Sequence, residues 1–159
     1  DGYPRPPRLE LVRAGVFADR LVSPRSAREF GLTGNGAATD ETPQAMSLAP
    51  GTLPEDAAPA ALGTGVWVSN FWYLNFSDRQ ACRVTGMTRF ATMWVENGEP
   101  VAPVQAMRFD DSLFRVLGDR LLQFTDEAHW FADTATYDGR VFGAVRAPGA
   151  LLEGLDFTL

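Results

Sequence analysis

Between Gly65 and Phe109 the hydrophobic and polar positions predict strands. Val66-Trp67-Val68-Ser69-Asn70-Phe71-Trp72-Tyr73-Leu74-Asn75-Phe76 is β-branched and aromatic, the composition of a strand. Asp78 to Gln80 marks a turn. Ala81 to Arg89 reads as a second strand, interrupted by Gly86, and Phe90 to Glu96 as a third. Asn97-Gly98 then separates two strand patterns, a strong hairpin signal because both central turn residues need positive φ. Val104 to Phe109 continues as a strand, so residues 65–109 read as a four-stranded antiparallel meander. Strict alternation puts Trp67, Phe71 and Tyr73 on one face and Val66, Val68, Asn70, Trp72, Leu74 and Phe76 on the other. Both faces are then apolar: the strand is buried on both sides, or one face meets a partner.

The flanks are less regular. Pro4, Pro6 and Pro7 hold residues 1–13 as an extended arm, and a hairpin through Arg13 to Gly15 follows. Ser23 is an N-cap, Pro24 suits the first helical position and Gly31 closes the C-terminus of a two-turn helix. Residues 31–64 form a long loop region. Within it 31–47 is loop, Ser47 to Gly51 a short strand then turn, and Pro54 to Ala58 the start of a brief helix. Leu113, Val116, Leu117 and Leu121 recur at helical spacing and predict a helix over 110–123, capped by Asp110 or Asp111. Residues 123–137 have no single reading. Gly139 to Val145 and Leu151 to Phe157 read as two closing strands. The expected fold is one mainly β domain (α+β) over residues 1–159, with antiparallel sheets in a sandwich or partly closed barrel and a few short helices.

The 159 residues, 45% hydrophobic and 21% charged, support a buried core and exclude a disordered chain. No apolar run approaches the roughly 20 residues a membrane span needs, and no signal peptide is visible. The net charge is −6 and every basic residue is Arg, with no clustered basic surface to reward phosphates, so nucleic acid is not an expected partner. A single Cys, Cys82, permits no internal disulfide and fits a reducing, cytoplasmic compartment. The sole His, His129, permits no two-His metal site within the chain.

Candidate catalytic groups are few. A Ser-His-Asp arrangement would have to use His129, whose neighbours Asp126 and Glu127 offer carboxylates but no strained nucleophile turn. Cys82 lies in a strand pattern, where a lone Cys is ordinarily core. The pairs Asp110-Asp111 and Asp126-Glu127 could share a metal or a proton, but acids at a helix start also simply favour the dipole. Gly34-Asn35-Gly36 lacks the Lys and the strand-to-helix context of a phosphate loop and reads as a flexible surface loop.

Several stretches together resemble one family. Gly65-Val66-Trp67-Val68, Thr85-Gly86-Met87-Thr88-Arg89, Trp94-Val95-Glu96-Asn97-Gly98-Glu99, Pro103-Val104 and Met107-Arg108-Phe109 are similar to the C-terminal part of the TldD/PmbA family. These are metallopeptidase-related proteins also described as modulators of DNA gyrase. Pro148 to Phe157 is similar to the family's closing strand, and Arg89 with Trp94 to Asn97 looks like the PmbA-type branch.

The resemblance implies proteolysis or peptide maturation, and dimers enclosing the site. Complete members add an N-terminal domain. Active members carry His-Glu-x-x-x-His on a helix, where two His bind zinc and Glu serves as base, and a Cys ligand near the C-terminus. Neither feature is present here: the matching stretch Val141-Phe142-Gly143 has no Cys. The chain is thus expected to be substrate-guiding or dimer-forming and not catalytic by itself, with zinc supplied only by a missing N-terminal domain or a partner subunit. Expected partners are a peptide or unfolded protein segment, and either a second copy or a TldD-type subunit. The candidate peptide groove or interface is Trp67, Trp72, Tyr73, Arg89, Asn97 and Arg108. Two other readings stand beside this one: a stand-alone β-sandwich protein-binding module, and a hydrolase using His129.

Overall fold

The computed structural model describes residues 5–134, 136, 139 and 143–158. In chain order the elements begin with strands β1 (Val12–Arg13) and β2 (Val16–Phe17), helix α1 (Pro24–Phe30) and strand β3 (Ala45–Ser47). A 3-10 turn (Glu55–Ala57) runs into helix α2 (Ala58–Leu62). Strands β4 (Gly65–Asp78), β5 (Arg83–Glu96), β6 (Glu99–Pro103) and β7 (Arg108–Ser112) follow. A π-helical turn (Arg115–Asp119) precedes β8 (Leu121–Ala132), β9 (Ala144–Leu152) and β10 (Phe157–Thr158). The chain is mainly β with short helices, as expected, and among the described residues its antiparallel sheets form no closed barrel. Among the described residues, no helix is long and apolar enough to cross a membrane.

The described residues group into two compact units, the first of 1–47 with 131–145 and the second of 48–130 with 146–159. In the first unit, Ala14 and Gly15 adopt φ of 49° and 78° and turn β1 back onto β2. Helix α1 is built as its sequence predicts. The Ser23 hydroxyl accepts from the Ser26 amide at 3.2 Å, Pro24 opens the first turn, and Gly31 closes the helix at φ 64°. Asn35 does not sit in a loose loop. Its side-chain oxygen accepts from the Val22 amide at 2.9 Å and its side-chain nitrogen donates to the Arg20 carbonyl at 2.8 Å. Asn35 therefore pins the chain beside buried Val22. The short strand expected from Ser47 lies slightly earlier, as β3, where the Ala144 amide donates to the Gln44 carbonyl. Of the closing strand expected from Gly139, residues 140–142 lie outside the described residues.

The second unit is organised by β5. One edge of β5 pairs with β4 along almost its whole length. Its other edge is shared: β7 pairs with Arg83 to Met87 and β6 with Met93 to Glu96, and β10 pairs with β7 beyond. The expected meander is therefore not a simple one, because β7 adds to β5 and not to β6. The expected second and third strands are the single strand β5. The break between them is a bulge, in which Ser69 of β4 faces both Phe90 and Ala91.

The helix expected over 110–123 is reduced to a short turn. Asp110 and Asp111 cap nothing and pair within β7 opposite Thr85 and Val84. Long-range pairing overrides the local helical spacing here. Residues 123–132 are strand, in β8.

Few side chains are fully inside. Val95, Phe109 and Leu53 are the buried hydrophobics of this unit among the described residues. Gly86 makes room for them: a Cβ there would stand 2.9 Å from the Phe109 ring, which packs 4.6 Å from that of Phe71. Buried Asp111 accepts from Arg115 at 3.3 Å, Arg120 at 3.1 Å and the Asp156 amide at 3.2 Å, tying β7 to the chain before β10.

Candidate functional site

Strands β4 and β5 carry the site because bulges interrupt their alternation at three places, two of them beside the site. In the first, Phe90 adopts φ 65°. In the second, Tyr73 and Leu74 together face Gly86, and Tyr73 adopts φ 56°. A non-glycine residue in the left-handed region stores strain of roughly 1 kcal/mol, which the surrounding sheet must hold. The second bulge also changes faces. Trp72 pairs with Met87 and Asn75 with Thr85, so Trp72 and Asn75 share one face. Leu74 contacts the position over Gly86 beside Phe109, the face to which Phe71 also belongs. Strict alternation had grouped Trp72 with Leu74 and Phe76; the extra residue in the bulge breaks that grouping.

The open face carries an aromatic cluster. The Trp72 ring meets Tyr73 edge-on at 6.4 Å and Phe90 edge-on at 6.1 Å. The Arg89 guanidinium lies 5.8 Å from the Trp72 ring centre and 5.9 Å from that of Phe90. Tyr73 is 77% exposed and Phe90 64%. Beside the cluster is a cleft of about 360 Å³, lined by Tyr73, Asn75, Thr85, Gly86, Met87 and Arg108.

The structure thus brings Trp72, Tyr73 and Arg89 together and sets Arg108 across a cleft from Tyr73. Trp67 stands farther along β4, opposite Met93, and is 48% exposed. Asn97 forms the β5–β6 turn with φ 51°, next to Gly98 at 83°, and its amide donates to the Thr64 hydroxyl at 3.4 Å. It takes no part in the cluster. Phe90, Asn75 and Met87 join the site without having been singled out in the sequence. Their placement depends on bulges and cross-strand register.

Strand β4 is also an edge. Among the described residues it pairs with β5 alone, and Gly65 to Phe76 carries no charge and no Pro. The β6 edge is different, with Glu99, Pro100 and Pro103 in five residues. Charge and Pro are common guards of an exposed edge; β6 has both, and β4 has neither from Gly65 to Phe76.

Other titratable groups lie elsewhere in the same unit. His129 Nε2 lies 2.6 Å from Glu55 Oε2, and with Glu127 these exposed groups place ligand atoms within 4.8 Å of one another. The Glu55 hydrogen bond, then its charge, raises the His129 pKa above its ordinary value. Backbone pairing brings the two segments together: the Asp126 amide donates to the Leu53 carbonyl at 2.8 Å, and Asp126 Oδ1 accepts from the Glu55 amide at 3.0 Å. No hydroxyl nucleophile hydrogen-bonds to His129 among the described residues, so the hydrolase reading has no geometry behind it. Cys82 is in the turn before β5, at φ 49°, and not in a strand; its carbonyl accepts from the Leu113 amide.

The two-His, one-Cys zinc set implied for active relatives is not found among the described residues. The one described cluster of candidate ligands joins two carboxylates and one imidazole, without Cys82 and without a second His. Of the stretch matching the family's Cys ligand, Val141 and Phe142 lie outside the described residues.

Comparison with known proteins agrees with the fold. A protein described as a modulator of a DNA gyrase, from Thermotoga maritima MSB8, is similar at 20% identity and a TM-score of 0.68. The match covers 93% of this chain and 32% of that one. TldE from Thermococcus kodakarensis is similar at 11% identity and a TM-score of 0.75, over 93% of this chain and 33% of that one. A protein described as a modulator of DNA gyrase from Bacteroides thetaiotaomicron VPI-5482 gives 18% identity and 0.61, over 93% and 30%. The chain therefore spans about a third of the length of these structures. A search of curated proteins finds no match. The family model described as the PmbA/TldA metallopeptidase C-terminal domain matches residues 1–159, and the chain belongs to that family.

Proposed function

We propose that this chain is the substrate-guiding and assembly-forming C-terminal part of a PmbA-type protein acting in proteolysis or peptide maturation, and that it is not catalytic by itself. The observation that carries the reading is β4, a 14-residue edge strand with no charge or Pro from Gly65 to Phe76, next to exposed Trp72, Tyr73 and Phe90. An extended peptide can add to such an edge through backbone hydrogen bonds, which accept many sequences, while the aromatic side chains hold its apolar residues. A second copy or a TldD-type subunit can use the same surface. Zinc, in this reading, comes from another domain or subunit. The free Cys82 thiol fits a cytoplasmic setting.

The test is Trp72→Ala, read in two ways. Anisotropy of a fluorescein-labelled Val/Thr-rich nonapeptide reports docking, and light scattering after size exclusion reports assembly mass. Loss of an aromatic anchor is worth more than about 1 kcal/mol, so affinity should fall about fivefold or more, or the assembly mass should drop. If neither changes, the reading is wrong.

A further inference from the structure

The cleft beside the aromatic cluster has a specific chemistry. Its floor is Thr85, Gly86 and Met87 of β5; Tyr73 and Asn75 of β4 form one wall and Arg108 of β7 the other. Arg108 has no carboxylate within ion-pair distance among the described residues, and it is exposed. The nearby carboxylate, Asp110, is ion-paired with Arg83, which donates to it at 2.8 Å through Nε; the Ser77 and Arg83 hydrogen bonds lower its pKa, and the Arg108 charge acts on it in the same direction without an ion pair. The cation at the other end of the open face, Arg89, is held over the Trp72 and Phe90 rings and likewise forms no ion pair among the described residues.

Arg83, Arg115 and Arg120 of the same unit form ion pairs, whereas Arg79, Arg89, Arg108 and Arg146 form none among the described residues. Among the described residues, the open face keeps two guanidinium groups without an ion pair, beside aromatic rings and neutral hydrogen-bonding groups. Guanidinium binds carboxylate through paired, charge-assisted hydrogen bonds.

We propose that the Arg108 cleft is a subsite for an acidic side chain of a bound peptide, with apolar residues of that peptide on Trp72, Tyr73 and Phe90. The inference rests on the peptide-docking reading above and adds to it a substrate class: extended segments in which an acidic residue is flanked by apolar ones. Tyr73 and Asn75 border the carboxylate. Arg89 supplies a second positive charge along the same face.

The probes are two fluorescein-labelled nonapeptides of alternating Val, Thr and Tyr, identical except for Glu or Gln at the centre. They are titrated against the full-length protein by anisotropy at low salt. The Glu peptide should bind about tenfold more tightly than the Gln peptide, equivalent to 1.4 kcal/mol. Arg108→Gln should remove the difference by weakening only the Glu peptide. Arg108→Glu should reverse it in favour of a third peptide with Lys at the centre, a gain that a merely misfolded variant cannot produce. If both peptides bind the wild type equally, the subsite is refuted and docking stands. If neither binds, docking fails and the subsite with it.

Discussion

Replacing Asp111 by Asn keeps the shape of the side chain and removes its charge from a place where that charge is needed. Asp111 is 1% exposed and accepts from two guanidinium groups as well as from the Ser112 and Asp156 amides. Removing one partner of a fully buried ion pair costs about 3–5 kcal/mol, because the other charge is left without compensation. Here the other charges are only partly buried: the side chains of Arg115 and Arg120 are 42% and 22% exposed. Water recovers part of the loss, and Asp156 still faces both cations. The expected cost is therefore about 2–3 kcal/mol. For a chain of this size each kcal/mol moves Tm by about 2–4 °C, so Asp111→Asn should melt roughly 4–12 °C lower by circular dichroism. Asp156→Asn, whose carboxylate is 46% exposed, should lose distinctly less. An Asp111→Asn variant within about 1 °C of wild type, or an equal loss at Asp156, would refute the claim that Asp111 organises this junction.

Other outcomes follow from single features. Gly86→Ala should destabilise by about 1–3 kcal/mol in urea unfolding, since the new Cβ would crowd the buried Phe109 ring. Tyr73→Gly should leave stability unchanged or raise it by up to about 1 kcal/mol, because it relieves positive φ and removes an exposed ring; it should nevertheless weaken peptide binding in the anisotropy assay. The only imidazole gives one NMR titration, and His129 should titrate above its ordinary value and move back down in Glu55→Gln. Because its folded pKa is raised, the His129–Glu55 contribution is complete below the unfolded value and is lost as pH rises through the folded one. Asp156 has the opposite sign. The Arg120 hydrogen bond lowers its pKa, so its contribution holds above the unfolded value and fades as pH falls through the folded one, visible as a falling Tm in an acid series.

What could be read in the sequence was local. Ser23, Pro24 and Gly31 each satisfy a backbone requirement within one or two turns, and α1 begins and ends where they place it. The Asn97-Gly98 hairpin is legible for the same reason: two adjacent residues supply both positive φ values. The bulges are not legible in this way. Phe90 and Tyr73 are unexceptional strand residues by composition, and only the count of residues on the opposite strand forces them out of register. That hid the continuity of β5, the true grouping of Trp72 with Asn75, and the membership of Phe90 in the site. Asp110 and Asp111 misled for a related reason. Their partners are β5 residues and Arg83, far back in the chain, and the arginines beyond the turn. Arg108 was singled out by family resemblance; its place across the cleft from Tyr73 depends on β7 pairing with β5.

The contrast between the β4 and β6 edges limits how far the sheet can grow. With Pro100 and Pro103 on β6 and only two residues in β10, a single long margin accepts a further strand. The sheet is in that sense monovalent. Two copies joined through β4 would each use up their open margin and stop, giving a closed pair and not a fibre. A peptide on the same margin would compete with that pairing, so substrate concentration and protein concentration would act against each other on one strand.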